Sequence, residues 1–370
     1  MGKKVIIVGG GYGGIKALET LANKDIEVTL IDKNLYHYLQ TESYNFIALN
    51  ISLNDITIPL EELTSGLNKN FKFIQDEAVT IKNNTLICKN GNYKFDYLII
   101  GVGSITNIPP IFKDKNFFEV KELSNAVTLK QSFENILLKH LKSSLATSHI
   151  AVIGGGSSGV EIAAEIKNYL NKTKLYKNIK VTIIADIFLS ELDKSSRKEA
   201  LNLLKEMGIE IIEGMVSSVN GGKIYIDSVK VEYDFAVVAT GITTNSFIKN
   251  LEFKKEKGFL VVDKYLRIQK NIFAIGDCAL LKDKNGKILP PTAQSAEQSG
   301  VIAAKNIIRT IKQKPLKKAN IKIYGLAIAL GGKFAIAVTS FFKVDGILGY
   351  LGKKAIEKYY KIPLKLKAQD

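Results

Sequence analysis

Two glycine triplets carry the clearest chemistry in this 370-residue chain. Gly9, Gly11 and Gly14 stand in G-x-G-x-x-G spacing, and Gly154, Gly156 and Gly159 repeat it. In such a motif the first glycine permits a tight turn and the second lets the backbone approach a pyrophosphate. The third lets the following helix pack close to the preceding strand. The helix N-terminus beyond the turn offers free N–H groups and the positive end of a dipole to the phosphates. Gly13 and Lys33 count with the first set of cofactor-binding residues, and Ser158 with the second. An acid at the end of the next strand completes each unit by accepting from a ribose hydroxyl. Asp32 follows its strand directly, whereas Asp186 is displaced by Ala185. An acid there, with Arg197 as the nearest arginine, favours NADH over NADPH.

The flanking pattern supports both units. Val5–Val8 and Ile150–Ile153 are short apolar runs suited to strands buried on both faces. Ile15–Ala22 and Val160–Leu170 read as the helices that follow, and Glu27–Ile31 and Lys180–Ile184 as the next strands. Two units in one chain favour two nucleotides over one. The strands Asp96–Ile100 and Tyr233–Ala239 each run into small residues, Gly101-Val102-Gly103 and Thr240-Gly241, where the chain can cross between domains beside a cofactor. Phe71–Ile81, Asn84–Lys89 and Tyr93–Phe95 read as a β-meander, with Asn90-Gly91 and later Gly221-Gly222 as hairpin turns. Further helices are expected at 122–142, 195–207 and 293–309. The expected fold is α/β, with two Rossmann-like dinucleotide-binding domains of three-layer ββα character and a C-terminal segment. The domains are expected at 1–112 and 243–320 for the first nucleotide, 113–242 for the second, and 321–370 for the C-terminal region.

Composition narrows the function. The formal charge is +16, but residues 311–370 hold 13 Lys against Asp345, Glu357 and Asp370. The excess therefore belongs to the tail and not to a groove for nucleic acid. The chain has two cysteines, Cys88 and Cys278. That excludes a disulfide scaffold, and no cysteine precedes residue 88 to form a dithiol relay after the first unit. His37, His140 and His149 are too scattered for a metal site, so no metal is expected. The apolar stretch 325–342 is interrupted by Gly331-Gly332-Lys333 and falls short of a membrane span. Phe341, Phe342, Val344, Ile347, Leu348, Tyr350 and Leu351, set among lysines, read instead as a surface that lies on a bilayer.

The order of these elements, with Gly159-Val160-Glu161, Ala239-Thr240-Gly241 and Ile275-Gly276-Asp277, resembles the two-dinucleotide-binding-domain flavoproteins over residues 4 to about 310. Within that group, Ala293-Gln294-Ser295-Ala296-Glu297-Gln298 is similar to the A-Q-x-A-x-Q motif of type II NADH:quinone oxidoreductases. The resemblance implies FAD in the first unit and NADH in the second, with hydride passing to FAD and two electrons to a membrane quinone, without proton pumping. It implies that Asp277 binds the ribityl chain of FAD and that the helix from Ala293 faces the flavin. Gly103 and Gly241 would lie beside the cofactors, Gln294 and Gln298 would face the quinone pocket, and Glu161 would sit by nicotinamide and flavin as an orienting or proton-handling group. Lys353 and Lys354 resemble lysines near the quinone entrance. The expected location is cytoplasmic, on the inner face of the cell membrane, and a homodimer stays open. The alternatives are a sulfide:quinone oxidoreductase, or an NAD(P)H-dependent reductase of the ferredoxin or rubredoxin type.

Overall fold

The computed structural model describes residues 2–22, 24–112, 117–339 and 342–369. Two parallel sheets organise it. The first has the order Arg267–Gln269, Ile272–Ala274, Tyr97–Ile100, Lys4–Val8, Glu27–Asp32, Lys72–Gln75, parallel except at its first edge strand. The second has the order Phe117–Phe118, Phe235–Val238, Ser148–Gly155, Ile179–Phe188, Glu210–Glu213, parallel throughout. In each, the strand leading into a glycine turn lies between the strand that follows it and a later one that crosses over. The crevice at such a reversal of strand order, at the carboxyl ends of the strands, is where an open α/β sheet binds its ligand.

The central strands are apolar because both faces are covered. Val5, Ile6, Ile7 and Val8 are buried, as are Ile150, Val152 and Ile153. The first glycine helix, Tyr12–Leu21, is capped by Gly11, and the second, Ser157–Leu170, by Gly156. Neither cap makes a side-chain hydrogen bond. The orphan N–H groups of each first turn thus depend on whatever else approaches them.

Each sheet carries a three-stranded meander, Ala78–Lys82 with Thr85–Cys88 and Asn92–Lys94, and Ser218–Asn220 with Lys223–Ile226 and Val229–Glu232. The first departs from the sequence reading at two points. Of the expected piece Phe71–Ile81, Lys72–Gln75 is the parallel edge strand of the first sheet and only Ala78–Lys82 joins the meander. Asn83 and Asn84 have φ of 48° and 56° and form the hairpin turn, so Asn84 does not start a strand. Asparagine tolerates this left-handed backbone better than other side chains do. In the second meander Gly221 and Gly222 turn the chain with φ of 56° and 71°.

The helix Ala293–Ile311 crosses the first glycine helix with almost no space between backbones. A Cβ built on Gly300 would lie 2.1 Å from the Gly13 carbonyl oxygen. Its N-terminus is capped by Thr292, whose hydroxyl accepts from the Ser295 N–H at 3.2 Å.

The C-terminal region is a hairpin, Gly325–Ala329 against Ala335–Thr339, followed by the helix Gly346–Lys367. No helix among the described residues is long and apolar enough to cross a membrane. Phe341, part of the expected bilayer-facing surface, lies outside the described residues, as do residues 113–116 at one expected domain boundary. The helix is amphipathic in an inverted sense. Gly349, Glu357 and Leu364 are buried, while Leu348, Leu351, Tyr359, Ile362 and Leu366 are exposed and recur at helical spacing on another face.

Gly300→Ala forces the two crossing helices apart. It is expected to cost about 1–3 kcal/mol, the usual range for overpacking, measured as a lower Tm.

Candidate active site

Both glycine turns open onto one continuous cavity of about 2220 Å³ between the two sheets. At the first turn Gly9 has φ of 107°, and a Cβ there would lie 2.3 Å from the Gly101 oxygen. A Cβ on Gly14 would meet the Gly9 oxygen at 1.9 Å, whereas one on Gly11 would meet nothing within 4 Å. Gly11 is therefore free of steric demand from the protein and faces open space, as close approach of a phosphate requires. The second turn repeats the arrangement. Gly154 has φ of 123°, Gly159 packs on the Gly154 oxygen, and Gly156 is open apart from the Glu191 carboxylate 3.8 Å away. The first is a cradle that a pyrophosphate fits; in the second the Glu191 carboxylate takes the Ser157 N–H at 3.2 Å, and a pyrophosphate would displace it.

Asp32 accepts from the Gly10 N–H at 2.6 Å and from the Asn34 N–H at 2.7 Å. Burial raises its pKa, and those two donors pull it back. Lys33 pairs with Glu122 at 2.6 Å. Asp277 takes the Lys121 ammonium and the Ser104 hydroxyl, each at 2.9 Å, on one carboxylate oxygen. Gly276 positions it with φ of 62°, and the Gly276 N–H is held by the Ser299 hydroxyl at 3.0 Å. Ala293 begins its helix at the cavity wall. Ser158 lines the cavity, and Asp186 is exposed at the mouth, where it accepts from the Ile187 N–H at 2.9 Å. Gly103 and Gly241 have φ of 66° and 97° where the chain passes between the two sheets. There Ile105–Thr106 pairs antiparallel with Ile242–Thr243, so the two crossings brace each other.

Glu161 lies on the second glycine helix, almost wholly buried, and its carboxylate meets the C-terminal helix. Lys353 Nζ is 2.8 Å from Glu161 Oε1, which also accepts from the Ala329 N–H at 3.0 Å. Burial raises the Glu161 pKa, and the lysine pulls against it. Burial works to lower the Lys353 pKa, but the charges of Glu161 and Glu357 outweigh it and hold the ammonium protonated. Gln294 and Gln298 also line the cavity, and both amides are engaged. Gln294 donates to the Gly325 oxygen at 2.7 Å and accepts from the Tyr324 N–H at 2.9 Å. Gln298 donates to the Lys322 oxygen at 2.7 Å and accepts from the Lys322 N–H at 3.0 Å. One turn apart on the helix, they pin residues 322–325 into the wall as a strand partner would.

Several site residues were not legible in sequence. His37 is fully buried between the first glycine turn and the C-terminal helix. Its Nδ1 is 2.9 Å from the Gly10 oxygen and its Nε2 is 3.1 Å from the Tyr360 hydroxyl. A carbonyl can only accept, so Nδ1 carries the proton and Tyr360 donates to Nε2. The Tyr360 ring packs 4.9 Å from that of Tyr12, and Tyr12 bonds Thr41 at 2.9 Å. Tyr44 donates to Glu357 at 2.8 Å. The contacts to Tyr360 and Glu357 join segments hundreds of residues apart, and only the spacing of Lys353, Glu357 and Tyr360 along one helix face could have signalled them. Neither cysteine lines the cavity. Both thiols are buried and pushed up to about 12, Cys278 against the Ile275 oxygen and Cys88 in the meander. Among the described residues no cluster of His, Cys, Asp and Glu could hold a metal.

Two dinucleotide-binding units facing a single cavity define a two-nucleotide α/β protein. The chain belongs to the pyridine nucleotide-disulphide oxidoreductase family, whose model matches residues 3–300. It is similar to a probable NADH dehydrogenase of Dictyostelium discoideum, 29% identical over 94% of this chain and 83% of that one. It is 28% identical to a type II NADH:quinone oxidoreductase of Haemophilus influenzae, over 90% of this chain and 86% of the relative. The fold matches that of NDH2 from Plasmodium falciparum, solved in complex with NADH, with a TM-score of 0.87 at 20% identity over 100% of this chain and 97% of that chain.

Burial lowers the His37 pKa to about 4. In the unfolded chain the imidazole titrates near 6.5, so between these values the unfolded state binds the extra proton. The stability this burial protects is fully present above about pH 6.5 and is lost as pH falls toward 4, a loss of about 3 kcal/mol. Urea titrations across that window should show a steeper acid slope in the wild type than in His37→Gln.

Proposed function

We propose that this protein is a FAD-dependent type II NADH:quinone oxidoreductase that works from a membrane surface. The observation that carries this reading is the Glu161–Lys353 pair, set in the wall of a cavity shared by two dinucleotide turns and free of any thiol. A flavin bound here supplies the hydride acceptor and the two-electron donor. The chain's own residues supply geometry and charge. The first turn and Asp32 would hold the FAD pyrophosphate and ribose, and Asp277 with Lys121 and Ser104 would hold the chain leading to the ring. The helix from Ala293 begins at the cavity wall, and its positive end would favour negative charge on a ring bound beside it. The second turn holds NADH, which must leave and return; Asp186 accepts from its adenosine ribose and would repel the 2′-phosphate of NADPH. Gln294 and Gln298 keep the 322–325 wall in place beside the quinone. Glu161 is a buried acid of the cavity wall, and the upward push of burial on its pKa suits it to handling a proton there.

The overall stoichiometry is NADH, a proton and quinone giving NAD⁺ and quinol. Purified protein titrated without oxygen should bleach with NADH, recover with a soluble quinone, and stay yellow with sulfide. Bleaching by sulfide and not by NADH overturns the reading in favour of a sulfide:quinone oxidoreductase, which the buried position of both cysteines already opposes.

Peripheral attachment on the cytoplasmic face of the membrane belongs to the same proposal. Its support is the exposed stripe of Leu348, Leu351, Tyr359, Ile362 and Leu366 on a lysine-rich helix. Leu348→Glu with Leu351→Glu should weaken binding to anionic liposomes in co-sedimentation by more than roughly 100-fold, since two well-inserted leucines are worth about 3 kcal/mol or more. Thermal stability should hold, because the inner face of the helix is untouched. Full binding by the double variant rules this surface out.

A further inference from the structure

Behind the Glu161–Lys353 pair lies a second buried carboxylate that the reaction just described does not use. Glu357 stands one turn beyond Lys353 on the C-terminal helix and lines the same cavity. Its Oε1 accepts from the Tyr44 hydroxyl at 2.8 Å and lies 3.7 Å from Lys353 Nζ. Its Oε2 is 2.6 Å from Lys354 Nζ. Glu161 Oε1 is 2.8 Å from the same Lys353 nitrogen. The groups therefore form one chain: Lys354, Glu357, Lys353, Glu161, cavity. The Lys354 side chain keeps 21% exposure against 4% for Glu357, so the chain starts at solvent and ends inside.

Titratable groups face Glu357 from two neighbouring helices. The helix Ser43–Ile47 contributes Tyr44, and the turn before it contributes Glu42, paired at 2.7 Å with Lys361. The second glycine helix contributes Glu161 and Glu165, the latter held by Asn50 and the Gly332 N–H. Burial, together with the charges of Glu161 and Glu357, raises the Tyr44 pKa far out of reach, so Tyr44 always donates and never carries a proton away. Its task is to fix the Glu357 carboxylate. Its ring faces Lys353 and Lys354, with the ammonium groups 5.0 and 5.7 Å from the centroid.

We propose that Glu357 is a proton relay, taking a solvent proton on the Lys354 side and passing it through Lys353 to Glu161 at the cavity wall, with Tyr44 as its positioning residue. This rests on the quinone-reducing function proposed above. Quinol holds two hydrogens more than quinone. NADH supplies one as hydride, and the other is a solvent proton. The transfers balance from the paired state, with Glu161 and Glu357 as carboxylates and Lys353 as ammonium. As a quinone O–H forms, the proton leaves Glu161, which takes it from Lys353 by breaking an N–H bond. Glu357 takes a proton from water at the Lys354 edge and passes it to the neutral Lys353 amine, so one solvent proton enters per quinol and every group returns to its starting charge. Two carboxylates sharing one buried lysine bring the neutral and ionic forms of each pair closer in free energy than water would, because burial penalises the charged forms.

The test uses the flavin-loaded full chain in rapid mixing, following bleaching by NADH and reoxidation by a soluble quinone separately. Glu357→Gln should slow reoxidation by roughly 100-fold, the low end of what a positioned proton donor supplies, and far more than it slows bleaching. The solvent deuterium isotope effect on reoxidation should rise, and Glu357→Asp should recover part of the rate. Tyr44→Phe, which keeps the ring and removes one donor, should slow the same step by a smaller factor. Infrared difference spectra of wild type, reduced against oxidised, should contain a carboxyl band that Glu357→Gln removes. Reoxidation, isotope effect and carboxyl band all unchanged in Glu357→Gln overturn the relay while the functional reading stands. If Glu357→Gln fails to retain flavin, a Tyr44→Phe variant that reoxidises at the wild-type rate with an unchanged isotope effect overturns it instead. A wild type that NADH does not bleach removes the functional reading and the relay together.

Discussion

A charged network buried between three parts of the chain is the constraint on which the rest depends. Removing an ammonium and a carboxylate from water costs several kcal/mol per ion, and only close pairing with further hydrogen bonds offsets it. Lys353 meets that demand with Glu161, Glu357 and the Ala327 oxygen at 3.2 Å. Those partners come from the second glycine helix, the C-terminal helix and the C-terminal hairpin. The network is satisfied only when all three are docked. Its stability contribution is therefore modest, while its specificity is high: a misplaced helix leaves a buried charge alone. The same low polarity that makes the network expensive raises the Glu161 pKa against the pull of Lys353.

The glycine turns impose the complementary constraint, one of shape. Gly14 on Gly9, Gly159 on Gly154 and Gly300 on Gly13 are contacts where backbone meets backbone. They fix the two turns relative to their sheets and bring the helix Ala293–Ile311 alongside the first turn. Gln294 and Gln298 extend that rigidity outward by bonding the 322–325 segment as a neighbouring strand would. The cavity is thus walled by main chain at its two glycine turns and by charged side chains in the middle.

Much of this was legible in sequence, for a physical reason. The turns, the buried strands and the crossing points depend on local properties: glycine without a Cβ, apolar runs, small residues at strand ends. Gly9, Gly11, Asp32 and the repeat at Gly154–Gly159 announce themselves within short windows. The hairpin at Asn83-Asn84 misled because asparagine in a left-handed turn looks like any polar residue beginning a strand. The middle of the cavity could not be read this way. Tyr44 and Glu357 are 313 residues apart, and His37 and Tyr360 are 323 apart. A histidine that signals nothing by its neighbours proves to hold the Gly10 carbonyl on one side and a tyrosine of the last helix on the other.

The C-terminal helix draws these points together, because its amphipathicity runs opposite to that of an ordinary surface helix. Its inner face carries Lys353, Glu357, Tyr360 and Lys361, each bonded to a group of the two nucleotide units, and Leu364 is its one large fully buried apolar residue. Its outer face leaves leucines, an isoleucine and a tyrosine in water. Hydrophobic burial therefore contributes little to its docking, and directional polar contacts hold it. A helix held this way can expose an apolar stripe without collapsing onto its own core, since turning that stripe inward would strand the lysines of the other face. The arrangement that leaves this apolar stripe exposed is thus the same one that seats Lys353 on Glu161. In a helix of ordinary polarity either the exposed stripe or the buried charged groups would have to be given up.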